Sequence, residues 1–182
     1  RFPRDGYYGP AGVSFGRYTD NGKYFFAFLR AALMAKDEEL WQTARNLAKY
    51  WDLGDIGKSP GQEPSINDKT VCSSATVLLA LIDLYKNIGC GEYLDLARKI
   101  GDNLTKGRFR NGFFIFGNAS NSYSWFDDIA AFSLLALHAA ITGKQDMVPA
   151  YFGGEGYTVG GLLHHGIKYG GTQGIEFILY NR

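Results

Sequence analysis

Residues 24–51, YFFAFLRAALMAKDEELWQTARNLAKYW, decide the fold. Phe25, Phe28/Leu29 and Ala32/Leu33 recur at the i, i+3/i+4, i+7 spacing that gathers side chains on one face of a helix. Leu40/Trp41, Ala44, Leu47/Ala48 and Trp51 repeat that spacing after a short interruption. In the interruption, Asp37 suits a helix N-cap, and Glu38 and Glu39 fall in a first turn where the helix dipole favours negative charge. The stretch predicts an αα-hairpin, two antiparallel helices joined by a very short turn.

The rest of the chain repeats it. Glu39-Leu40-Trp41-Gln42-Thr43-Ala44-Arg45 lies over Glu92-Tyr93-Leu94-Asp95-Leu96-Ala97-Arg98 at an offset of 53, and Lys36 over Lys144 at about twice that. A second hairpin is predicted after Asp68, read as its N-cap, with Val77–Tyr85 apolar on nearly all sides and Tyr93–Leu104 amphipathic. A third opens at Trp125, with FDDIAAFSLLALHAAITG again apolar almost all round and Lys144–Phe152 as a short return helix. A helix apolar on every side belongs inside. Internal and external helices alternating at a period of ~50 residues fit an inner ring wrapped by an outer one. The fold class expected is therefore mainly α, a partial α/α toroid with a small C-terminal β element; a superhelical stack of helix pairs is the alternative. Residues 1–155 would form the hairpin segment. Residues 156–182, glycine-broken and without helical period, would form two or three strands packed on it in the same domain.

Between the repeats lie two irregular stretches. Residues 1–22 are glycine- and proline-rich, and Asp20 or Asn21 can cap the first helix. Residues 52–67, DLGDIGKSPGQEPSIN, form a connection of a length that is usually functional or mobile. Gly107–Asn118 reads as a turn with a short β segment.

Composition sets bounds. The 182 residues are 46% hydrophobic and 20% charged, as expected of a globular domain. A net charge of +1 supplies no field to draw nucleic acid or an anionic membrane surface. No apolar run approaches the ~20 residues of a membrane span. The chain opens Arg-Phe-Pro-Arg without an initiator Met or signal peptide, as a processed protein or a piece of a longer one would. Cys72 and Cys90 flank a predicted helix whose ~1.5 Å rise per residue holds them beyond disulfide reach, so free thiols are expected. The 12 Tyr, 13 Phe and 3 Trp suit either a packed core or the aromatic faces of a sugar-binding cleft.

Candidates for chemistry are few. Trp125-Phe126-Asp127-Asp128 stands at the mouth of a buried helix, and paired carboxylates can act on glycosidic bonds. Ser124 followed by Asp127 is equally close to a capping box. Trp125 can be a cleft residue or a core one. His138, within LLALHAAITG, reads as a buried, hydrogen-bonded histidine. His164 and His165 are adjacent in a predicted strand and point to opposite faces, so they cannot chelate one metal. Arg4, Arg17, Arg108 and Arg110 fall in loops beside aromatics, where they either grip carboxylates or are simply solvated.

FPRDGYYGPAG (2–12), the hairpin FLRAALMAKDEELWQTARNLAKYWDLGDIG (28–57), LARKIGDNLTKGRFRNGFF (96–114) and WFDDIAAFSLLALHAAITGKQD (125–146) occur in an order that resembles the C-terminal half of the pectate lyases of polysaccharide lyase family 2. The resemblance covers essentially the whole chain. It implies cleavage of α-1,4-linked polygalacturonate by β-elimination, with an arginine base and a divalent cation of the manganese type held by histidines and a glutamate. No segment matches those base and ligand motifs, which the resemblance would place upstream of Arg1 in a missing N-terminal portion. What this chain would supply is the far wall of the cleft for oligo- or polygalacturonate: Arg4, Asp5, Tyr7, Tyr8, Arg17, Trp125, Asp127 and Asp128. A bacterial periplasmic or secreted setting goes with it rather than a cytoplasmic one. An unsaturated-uronyl hydrolase using Asp127 or Asp128, a non-catalytic carbohydrate-binding segment and a helical scaffold remain as alternatives.

Overall fold

The computed structural model describes residues 22–118, 121–123 and 128–148, and the strands at 151–159, 162–164, 167–169 and 172–180; side chains are described for 22–115 and 128–148. Five α-helices dominate: α1 (Lys23–Ala35), α2 (Glu38–Tyr50), α3 (Ala75–Ile88), α4 (Gly91–Arg108) and α5 (Ile129–Thr142). The protein is mainly α, as the periodicity predicts.

The α1–α2 turn follows from local chemistry. Lys36 takes a left-handed conformation that stops α1, and the Asp37 carboxylate accepts the Leu40 amide at 2.9 Å to start α2. Two other caps differ from expectation. Ser74, not Asp68, starts α3, its hydroxyl accepting the Val77 amide. Gly22 rather than Asp20 or Asn21 occupies the α1 N-cap, at φ +94°. A Cβ there would lie 2.7 Å from Val77 Cγ2 and 2.9 Å from Ser74 Oγ. Only glycine allows the starts of α1 and α3 to come that close.

Helices α1, α3 and α5 pack directly on one another in that order, with α2 on α1, and α4 on α3 and α5. The first group forms an inner layer, the second an outer one. Running antiparallel to α4, both α3 and α5 start at the same rim, and α1 starts there too. Nine residues of α3 are buried, and its centre (Leu78, Leu81, Ile82, Leu84) meets Phe25 and Leu29 of α1 and Leu96, Ile100 and Leu104 of α4 in one core.

The connection 52–67 is anchored in the core at its start, while Lys58 and Pro60–Glu63 stay exposed. Its strands β1 (Gly54–Asp55) and β2 (Ser65–Ile66) pair antiparallel, and Leu53 and Ile56 are completely buried. Trp41 Nε1 in α2 donates to the Gly57 carbonyl at 3.0 Å, and the Tyr93 hydroxyl in α4 donates to the Ile56 carbonyl at 2.9 Å. One loop thus satisfies both outer helices from the groove between them. An inner layer in direct contact beside an outer layer spread by an inserted loop favours an arc, convex on the outer side.

Two expectations fail at α5. Its N-cap is Asp128 itself, and its exposed face carries Ala131, Leu135 (50% exposed), His138 and Ile141. His138 is therefore a surface residue, because α5 closes one flank of the described array and packs its other side on α3 and α4. The predicted return helix is also missing. After Gly143 caps α5 in the left-handed region, a single 3-10 turn (Gln145–Met147) precedes strand β7, which begins at Tyr151. Four further two- or three-residue strands follow α4 before α5: β3 (Phe109–Arg110), β4 (Phe113–Phe114), β5 (Phe116–Asn118) and β6 (Asn121–Tyr123), paired as two hairpins. The tail contains β7 (Tyr151–Val159), β8 (Leu162–His164), β9 (Ile167–Tyr169) and β10 (Thr172–Tyr180), with β7 paired to β10 and β8 to β9.

Candidate functional site

The rim where α1, α3 and α5 begin is where the proposed cleft residues converge in sequence. Residues 1–21 lead into α1, and 109–127 lead into α5. Of the eight candidates, Arg4, Asp5, Tyr7, Tyr8, Arg17, Trp125 and Asp127 lie outside the described residues, as do Ser124 and the capping box it would open.

Asp128 is described, and its two oxygens are both engaged. Oδ1 accepts the Ala130 amide at 2.9 Å, capping α5, and Oδ2 is paired with the Arg108 guanidinium. The pair is sheltered, with the Asp128 side chain 5% and the Arg108 side chain 19% exposed. Arg108 is the last residue of α4, so this contact ties the end of one outer helix to the start of an inner one. Its Nε also points at the Ile115 carbonyl, and its guanidinium lies 6.0 Å from the Phe114 ring centre. Of the two loop arginines near this rim, Arg108 is committed to holding structure.

Arg110 is placed differently. It sits on β3 directly opposite Phe113 on β4. Asn111 (φ +50°) and Gly112 (φ +87°) form the two-residue turn between them, the left-handed pair that a type I′ hairpin demands. The hairpin projects from the end of α4, with Phe109 43% and Phe113 57% exposed.

Other charged groups are tied into the helical array. The Arg45 guanidinium grips Asp55 through Nε at 2.6 Å and Nη2 at 2.5 Å, with the Gly57 amide on the same carboxylate. These contacts hold the Asp55 carboxyl down to about 2. Asp83 on α3 pairs with Arg30 on α1 at 2.7 Å, yet burial pushes its carboxyl above the ordinary range. Cys72 and Cys90 are free thiols, each raised by burial. Among the described residues no three of His, Cys, Asp and Glu gather closely enough to hold a metal ion. With Asp128 consumed by an amide and a guanidinium, the described rim does not fit the divalent cation that the resemblance implies. Among the described residues, no helix is long and apolar enough to cross a membrane.

These features define a mainly α protein of stacked helical hairpins, with an inner and an outer layer and short β-hairpins at the rim. Comparison with known proteins then gives the family. Residues 1–161 match the family described as periplasmic pectate lyase, and the chain belongs to that family. It is 27% identical over 176 residues to the pectate disaccharide-lyase of Dickeya dadantii (strain 3937), a match covering 97% of this chain. That stretch is 29% of the relative, so the chain spans less than a third of the relative's length.

Proposed function

We propose that this chain is part of a pectate lyase, forming one wall of the groove in which α-1,4-linked polygalacturonate is cleaved by β-elimination. The observation that carries this reading is the family match over residues 1–161. In the reaction, a base removes the proton at C5, α to the uronate carboxylate, and the C4 oxygen leaves. The catalytic base, and the divalent cation with its ligands, belong in this reading to sequence outside the 182 residues. Arg4, Asp5, Tyr7, Tyr8, Arg17, Trp125 and Asp127 remain the proposed contacts to the sugar chain. Asp128 contributes by fixing where α5 begins. A periplasmic setting is taken over from the family's description.

The engagement of Asp128 weighs against the hydrolase alternative. That holds for Asp128 as the acid: a general acid must carry a proton to release to the leaving oxygen, and a carboxylate paired with the Arg108 guanidinium is held in its charged form.

Incubation with polygalacturonate and manganese, followed through the absorbance of unsaturated uronates, tests the proposal together with a binding assay on oligogalacturonates. The expected result is binding without turnover. Steady release of unsaturated product by this chain would overturn the placement of the base. Failure to bind any oligogalacturonate would overturn the groove-wall reading.

A further inference from the structure

The β3–β4 hairpin brings together an arginine with an open bidentate edge and exposed aromatic rings. The Arg110 side chain folds back so that Nη1 donates to the carbonyls of Lys106 and Phe109, at 2.9 and 2.8 Å. Those two bonds use both hydrogens of Nη1. The opposite edge of the guanidinium, Nε and Nη2, has no partner among the described residues. That edge carries two parallel N–H groups spaced to meet both oxygens of a carboxylate. Arg108, two residues earlier, cannot serve because Asp128 occupies it.

The tether matters as much as the open edge. A free surface arginine loses rotamer entropy when it closes on a ligand, whereas Arg110 is already held by two carbonyls at the end of α4. Across the ladder, Phe113 stands directly opposite Arg110, so both side chains rise from the same face of the hairpin. A ring more than half exposed there has no partner in the core to account for it. An acidic sugar presents what this pair lacks: a carboxylate for the guanidinium and a face of C–H bonds for the ring.

We propose that Arg110 and Phe113 form a uronate-binding subsite at the rim, gripping one carboxylate of an oligogalacturonate while its ring stacks on Phe113. The subsite rests on the function proposed above and adds to it a second anchoring point, on the α4–α5 connection.

The simpler role for Arg110 is capping of α4, since Lys106 offers one of the carbonyls that a helix end leaves unsatisfied. Arg110→Lys separates the two roles. Lysine keeps the positive charge that favours a helix C-terminus but loses the planar fork. Affinity for trigalacturonate should fall about tenfold in Arg110→Lys and severalfold in Phe113→Ala, with thermal midpoints unchanged in both. Binding of a neutral trisaccharide of cellulose should be weak and indifferent to either change. If the wild-type chain binds trigalacturonate and both variants bind it equally well, the subsite is wrong while the function stands. The subsite is equally wrong if Arg110→Lys lowers the midpoint and leaves binding alone. No binding by the wild-type chain overturns both.

Discussion

Two connections carry the chain from an outer helix to the next inner one, residues 51–74 and residues 109–128, and they begin at equivalent places in the repeat. The first turns inward between α2 and α4, buries Leu53 and Ile56, and is bonded by Trp41, Tyr93 and Arg45. The described part of the second pairs with itself as short hairpins and exposes Phe109 and Phe113, and the connection is flanked by the Arg108–Asp128 pair. Equivalent topology has thus been put to two uses. A connector that satisfies its backbone against two helices becomes core; one that pairs with itself as hairpins leaves side chains such as Phe109 and Phe113 exposed.

Substitutions at three positions test how deep that difference goes. The largest effect is expected in the inward connection. Gly54 has φ +85°, and a Cβ there would stand 2.4 Å from the Ser65 carbonyl oxygen. Both the conformation and the opposing backbone exclude a side chain. Gly54→Ala should cost about 3 kcal/mol in a denaturant titration; a loss near zero would mean that the loop is not a packed element. At the rim the effect should be smaller. Asp128→Ala removes the α5 cap and the Arg108 partner and should cost about 1–2 kcal/mol, with Asp128→Asn, which can still cap, recovering part of it. Equal losses in the two variants would show that the ion pair with Arg108, not the cap, is what matters.

The smallest effect is a change in pH dependence. Asp55 has an ordinary value of 3.8 and is held at about 2 in the folded chain, chiefly by Arg45. Its contribution is present above the ordinary value and lost as pH falls from about 4 towards 2. Asp83, raised by burial, acts in the opposite sense, because its protonation favours the folded state. Thermal midpoints measured down to pH 2 should therefore fall less steeply in Asp55→Asn than in the wild type. Parallel curves would mean that Asp55 contributes nothing to the acid sensitivity of the fold.

Much of the architecture was legible in the residues because helical period and caps act locally. The 24–51 hairpin, its recurrence 53 positions later and the Asp37 cap all appear where the spacing puts them. The repeat even locates Trp41 and Tyr93, residues one position apart in their registers, which turn out to bind adjacent carbonyls of the same loop. The candidate site was less legible. Arg108 and Arg110 look alike in GRFRNGFF, and only the partners they find distinguish a structural arginine from an open one. His138 and the apolar α5 show the same limit, since a uniformly apolar helix reads as internal whether or not both its flanks are covered.

The amino-acid sequence by itself determined that this is a mainly α protein of repeated helical hairpins, because an amphipathic period and an N-cap involve only neighbours along the chain. It also carried the family resemblance, which is a matter of ordered motifs. The tertiary structure alone decided that residues 53–57 fill the groove between outer helices and that Asp128 answers to Arg108. It alone left Arg110 with an edge to spare. Those outcomes depend on groups tens of residues apart meeting in space, and no local pattern records such a meeting.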